Sequence, residues 1–205
     1  MPQITTGIRS ILSIPKMYQL FKKIIGVDYA YSNFVNQYIR PNNGDKILDI
    51  GCGPGDMLSY LPKVEYIGFD LSEDYIKSAR ENFGDRGTFI CEKVSTSTLE
   101  QTSYFDLVMA IGILHHLDDA EALQLFQLAQ LALKPGGRLI TFDGVYIDNQ
   151  SPCARYFLSK DRGQNIRTKD GYETIASQVF ANINVNIRHN LLRIPYTHII
   201  MELTK

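Results

Sequence analysis

At 205 residues the chain has the length of one ordinary domain, and its 44% hydrophobic and 21% charged residues are those of a globular protein. Its 21 Lys and Arg against 22 Asp and Glu leave a net charge of −1, which argues against a nucleic-acid partner. Cys52, Cys91 and Cys153 have no metal-ligand spacing, no segment is apolar enough for stable membrane insertion, and Pro15 and Lys16 interrupt any signal-peptide core, so a cytoplasmic protein is expected.

The first 44 residues read as two or three short amphipathic helices forming a cap, with Tyr18, Phe21 and Tyr31 as candidate lid aromatics. A basic surface anchor around Lys22 and Lys23 is the lesser reading of the same stretch. Strand patterns then fall at Lys46–Ile50, Tyr66–Asp70, Thr88–Cys91, Phe105–Ala110 and Arg138–Phe142. Between them the spacing predicts helices. One opens at Ser72, with Glu73 and Asp74 favourable to its dipole, and runs to Phe83 before Gly84. Another opens at Asp118 or Asp119 and runs through Leu133 to the stop Lys134-Pro135-Gly136-Gly137. A later helical face carries Tyr172, Ile175, Ala176 and Val179 after Asp170. Val185–His189 and Tyr196–Leu203 read as a closing antiparallel pair. The alternation predicts an α/β fold with a mostly parallel sheet in one domain: helical cap 1–44, core 45–143, insertion and hairpin 144–205.

Ile47-Leu48-Asp49-Ile50-Gly51-Cys52-Gly53-Pro54-Gly55-Asp56 carries the chemistry. A buried strand enters a glycine loop and then a helix, which allows close approach of a ligand to the backbone. A glycine triplet alone is shared with nicotinamide and flavin binders. Here the spacing is G-x-G-x-G, and Asp49 and Asp56 flank it where a pyrophosphate would need positive potential. Asp70, ending the next strand, suits ribose hydroxyls. A ribose and an ammonium without a pyrophosphate describe S-adenosyl-L-methionine.

With these motifs, Gly68–Ser72, Phe105-Asp106-Leu107-Val108, Ile113-Leu114-His115-His116-Leu117 and Leu133–Leu139, the chain resembles the class I, Rossmann-like S-adenosylmethionine-dependent methyltransferases acting on small molecules. The resemblance implies a seven-stranded sheet in order 3-2-1-4-5-7-6 with the last strand antiparallel. It also implies that Gly51, Cys52 and Gly53 take the methionine part, Asp49 orients its ammonium through water, and Asp70 holds the ribose. Leu71 would lie along the adenine, Ile111 and Gly112 beneath the cofactor. The family often has a Gly-Asp pair after the third strand; this chain has Cys91-Glu92-Lys93-Val94, where Glu92 substitutes for the Asp and Val94 is an apolar neighbour. S-adenosyl-L-homocysteine is the implied product.

The acceptor side is less legible. His116, and after it His115, are candidate general bases for methyl transfer to a hydroxyl, with Asp143 orienting them. Their alternative is to shape the loop. Two histidines make no metal site, so no metal is expected. Arg155, Lys160-Asp161-Arg162-Gly163 and Arg167 read either as a pocket for an anionic acceptor or as a solvated loop. Cys52 and Cys153 also read as small packing residues. O-methylation is favoured over N-methylation; the alternative is a non-catalytic S-adenosylmethionine-binding module.

Overall fold

The computed structural model describes residues 27–205 apart from Glu100, Arg162 and Asn190. Tyr18, Phe21, Lys22 and Lys23, and with them most of the expected cap, lie outside the described residues. Seven strands form one sheet: β1 Lys46–Ile50, β2 Glu65–Phe69, β3 Thr88–Ile90, β4 Phe105–Ile111, β5 Leu133–Gly144, β6 Asn182–Arg188 and β7 His198–Thr204. Their order is β3-β2-β1-β4-β5-β7-β6. The pairs from β3 to β5 are parallel, and β7 runs antiparallel to both β5 and β6. The implied order, with its reversed last strand, is therefore observed. The strand order turns back between β1 and β4, and such a switch point leaves a crevice at the carboxyl ends of the strands.

Helices cover both faces. On one lie α1 (Val27–Phe34), which continues as a π-helical turn over Val35–Ile39, and α2 (Glu73–Phe83). Phe34, Val35, Ile39, Ile76 and Ala79 pack there against Ile47, Leu107, Met109 and Ile200. On the other lie α3 (Asp119–Ala132) and α5 (Lys169–Ala176), whose Phe126, Ala129, Tyr172 and Ala176 meet Leu48, Val108, Leu139 and Met201. Arg138 ties the amino-terminal segment down by donating to the carbonyls of Tyr38 and Ile39 at 3.1 and 2.7 Å.

The helix starts follow the capping chemistry. Ser72 accepts from the Tyr75 amide, and Asp118 and Glu121 form a reciprocal capping box. Three local departures from the sequence expectation have physical reasons. The helix after the glycine loop is only a 3-10 turn over Asp56–Tyr60, because Leu61, which precedes Pro62, is held extended. The expected stop at Lys134–Gly137 is already strand: α3 ends at Ala132, and β5 begins at once with Leu133 paired to Phe105. A further helix, α4 (Pro152–Ser159), opens on a Ser151 cap with proline in its first turn, a pair of start signals easily taken for a loop.

Candidate active site

The glycine loop turns on three residues with positive φ: Gly51 at 77°, Gly53 at 54° and Gly55 at 77°. Gly51 is a packing requirement, since a Cβ there would lie 2.4 Å from Cδ1 of Ile113. Gly53 differs. Among the described residues nothing lies within 4 Å of the position its Cβ would take, so the loop presents bare backbone there. The amides of Gly51 and Cys52 both donate to the Phe69 carbonyl, at 2.8 and 3.0 Å, which pins the loop to the end of β2. Cys52 is buried, and a Cβ on Gly68 would meet its sulfur at 2.8 Å. Its packing role is thus explicit.

Asp70 accepts from the Gly53 amide at 2.9 Å and the Ser72 amide at 2.8 Å. A carboxylate offers about four acceptor positions, so about two remain for a ligand. Asp49 is 3% exposed and accepts from the Tyr66 hydroxyl at 2.6 Å. Burial pushes its carboxyl up to about 7; the Tyr66 hydrogen bond opposes this, and nearby Asp70 adds to it. Among the described residues no cationic side chain pairs with either carboxylate. Leu71 is an exposed apolar side chain beside Asp70, which is the arrangement a flat base requires. Glu92 is exposed, Val94 packs on the sheet, and Ile111 and Gly112 end β4, with Gly112 at φ 68°. Gly51, Gly53, Asp49, Asp70, Leu71, Ile111 and Gly112 thus converge at the ends of β1, β2 and β4.

The histidines sit in a 3-10 turn, Leu114–His116, after β4. His115 is buried, with Nδ1 2.7 Å from Asp143 Oδ1 and Nε2 3.3 Å from Asp161 Oδ1. Burial alone would lower its proton affinity, but the hydrogen bonds and charges of Asp143 and Asp161 outweigh it and raise the imidazolium to about 10. Asp161 is held well below the usual carboxylate range: burial raises it, and His115 together with the Gly163 amide and the Tyr196 hydroxyl more than compensates. Gly163 lies so close that a Cβ would fall 2.0 Å from Cδ2 of His115. His116 is partly exposed, its ring centroid 4.2 Å from that of His115. Asp161, Tyr196 and Tyr66 are the polar residues that sequence reading missed as partners; Asp161 and Tyr196 come from loops far along the chain, and Tyr66 from β2, the strand beside Asp49.

Arg167 is spent internally. It donates to the carbonyls of Leu114, Leu117 and Asn165 and pairs with Asp119 at 2.7 Å. Arg155 lies over the Tyr146 ring and Lys160 over Tyr156. Among the described residues no helix is long and apolar enough to cross a membrane.

Residues 47–137 match a family described as a methyltransferase domain. This segment, a little under half of the chain, is a methyltransferase domain, and the strand order around it is that of the class I, S-adenosylmethionine-dependent type. It is similar to the ubiquinone biosynthesis O-methyltransferase of Idiomarina loihiensis, 29% identical over 124 residues that cover 58% of this chain and 50% of that protein. It is also similar to the O-methyltransferase cnsE of Penicillium expansum, 30% identical over 171 residues covering 73% of this chain and 59% of that one. The chain therefore spans about half the length of the curated relatives it matches. Among solved structures, the PH0226 protein from Pyrococcus horikoshii shares the fold with a TM-score of 0.65 and 21% identity, covering 97% of this chain and all of that one (100%). The family's cofactor is S-adenosylmethionine, and the bare Gly53 backbone, the two uncompensated carboxylates and exposed Leu71 fit its amino acid, ribose and adenine.

Proposed function

We propose that this chain transfers the methyl group of S-adenosylmethionine to a hydroxyl of a small-molecule acceptor. The observation that supports the cofactor half is the pairing of Asp49 and Asp70 around an open glycine backbone, with no cation among the described residues against them. In this reading the backbone of Gly51, Cys52 and Gly53 receives the amino-acid end and Asp49 faces the ammonium. Asp70 accepts the ribose hydroxyls. Leu71 and Val94 flank the adenine, with Glu92 toward its amino group, while Ile111 and Gly112 lie beneath. The bound cofactor supplies a methyl carbon made electrophilic by a sulfonium, and S-adenosylhomocysteine remains afterwards.

The protein's own tasks are alignment, exclusion of water and removal of the hydroxyl proton. His115 has both ring nitrogens engaged with carboxylates, so it is proposed as the support of the turn rather than as the base. His116, more exposed and with its ring against that of His115, is the proton acceptor, and Asp143 acts on it only through His115. The O-methyltransferase names of both curated relatives favour oxygen as the attacked atom.

The test is S-adenosylhomocysteine formation with a panel of phenols, alcohols and amines. The expected result is turnover of at least one hydroxylic acceptor. His116→Ala should lower kcat by about 10²-fold or more, with affinity for S-adenosylhomocysteine unchanged. Turnover confined to amines would overturn the oxygen assignment. Unchanged kcat in His116→Ala would remove the base, and binding without turnover of any acceptor would leave a binding module.

A further inference from the structure

We infer that Tyr66 is a positioning residue for the cofactor, its hydroxyl holding the Asp49 carboxylate toward the ligand's ammonium and keeping that carboxylate ionised. This rests on the cofactor reading above. Asp49 in β1 lies opposite Gly68 in β2, and Tyr66 stands two residues earlier on the same face. The glycine between them makes the reach possible. A Cβ on Gly68 would sit 3.0 Å from Cε1 of Tyr66, and one on Gly87 would sit 2.8 Å from Cδ1. Two glycines thus clear the space for one ring, which is 2% exposed and packs against Phe89 with centroids 5.6 Å apart. The ring is fixed, and its hydroxyl arrives 2.6 Å from Asp49 Oδ2. Among the described residues Tyr66 is the one side-chain donor to this carboxylate, which leaves Oδ1 for a ligand.

The surroundings do little else to support a negative charge there. Asp70 repels it, and the Cys52 thiol is pushed upward by burial and stays neutral. Met109, the β4 neighbour in register with Asp49, is apolar. Tyr66 itself is raised well above the usual phenol range by burial and by Asp49, so it remains a donor throughout the neutral range. With burial already pushing Asp49 up to about 7, loss of this hydrogen bond pushes it higher. A hydrogen bond to a charged group corresponds to about tenfold or more in an equilibrium constant.

The experiment is calorimetric titration of the full chain and of Tyr66→Phe, from about pH 6 to about pH 8.5, where Asp49 changes charge. One ligand is S-adenosylhomocysteine. The other is 5′-methylthioadenosine, which keeps the nucleoside and lacks the amino-acid end. Titration of the ligand's own amine is the same for both proteins and cancels in their ratio. The expected result is equal affinity for methylthioadenosine, with S-adenosylhomocysteine bound about tenfold more weakly by the variant below pH 7 and the gap closing as pH rises. A gap independent of pH, an equal loss for both ligands, or no gap would overturn the inference, because packing alone would then explain Tyr66. Asp49→Asn supplies a second arm should Tyr66→Phe fold poorly. It is expected to abolish the rise of S-adenosylhomocysteine affinity with pH, the ligand's own amine contributing only a fall, and persistence of that rise would also overturn the inference. Failure of the unaltered chain to bind S-adenosylhomocysteine at any pH would instead bring down the cofactor reading itself.

Discussion

Two pairs of carboxylates sit at the carboxyl ends of the strands, and the protein treats them in opposite ways. Asp49 and Asp70 flank the glycine loop and, among the described residues, accept from a hydroxyl and backbone amides and pair with no cation. Asp143 and Asp161 close on His115 from its two ring nitrogens, and Tyr196 donates to Asp161 at 2.7 Å. Burying a carboxylate without a cation is costly, and natural sequences accept such a conflict mainly at functional sites. In the function proposed above, the first pair is a site prepared for a positive charge from outside. The second is complete in itself and works as a clasp, joining the segment after α4 to the turn after β4.

The comparison breaks most sharply at His115. His115→Ala leaves buried Asp143 and half-buried Asp161 facing a vacated space, and loss of one partner from a buried ion pair costs about 3–5 kcal/mol. Urea denaturation at pH 7 should show that loss. Its pH dependence sharpens the point. The folded imidazolium is raised from 6.5 to about 10, so its stabilisation is complete below pH 6.5 and is lost as pH rises through about 10. The unaltered chain and the variant should therefore converge in stability on the alkaline side. A difference that stays constant from neutral pH to pH 10 would mean that His115 acts by packing alone.

Asp70 tests the open pair. Asp70→Ala should weaken S-adenosylhomocysteine binding by about 10²-fold, the equivalent of two hydrogen bonds to a charged group. The competing role, capping of α2, is already filled by Ser72, which accepts from the Tyr75 amide at 3.3 Å. Stability should fall by about 1 kcal/mol, since the Gly53 and Ser72 amides can turn to water. Undiminished affinity in calorimetry would reduce Asp70 to a brace for the loop.

The same contrast explains what could be read from the sequence. The open pair lies beside contiguous signals: strand, glycine loop, then an acidic residue at the next strand end. Each is written within a few residues of the chain, and the sheet order follows from the family pattern to which they belong. The clasp is written across long separations. His115 meets Asp143 28 residues away, and Asp161 meets Tyr196 35 residues away. Nothing local to Asp161 marks it as a histidine partner, and it reads simply as one member of a charged loop. Arg167 was misleading for the same reason. Its charge suggested a ligand, whereas the fold spends it on three carbonyls and Asp119. Tyr66 is legible as a buried strand residue, but its hydroxyl finds Asp49 only once Gly68 and Gly87 have cleared the way.

A smaller loss of affinity than at Asp70 separates two glycines that look equivalent in the motif. Both Gly51 and Gly53 have positive φ, which costs an alanine about 1–2 kcal/mol. At Gly51 the new methyl would also collide with Ile113 at 2.4 Å, so Gly51→Ala should lose stability beyond the backbone term. At Gly53 nothing among the described residues lies within 4 Å, and the backbone term remains. Its methyl would instead project into the space proposed for the cofactor's amino-acid end. Gly53→Ala should therefore unfold in urea at a concentration only slightly below that of the unaltered chain, yet bind S-adenosylhomocysteine about tenfold more weakly, since a good ligand contact is worth about that factor. Its affinity for methylthioadenosine should change little, because that ligand does not reach the loop's amino-acid subsite. A large loss of stability with unchanged binding would show that Gly53 is needed for the turn and not for the ligand, and would move the amino-acid end of the cofactor away from this loop.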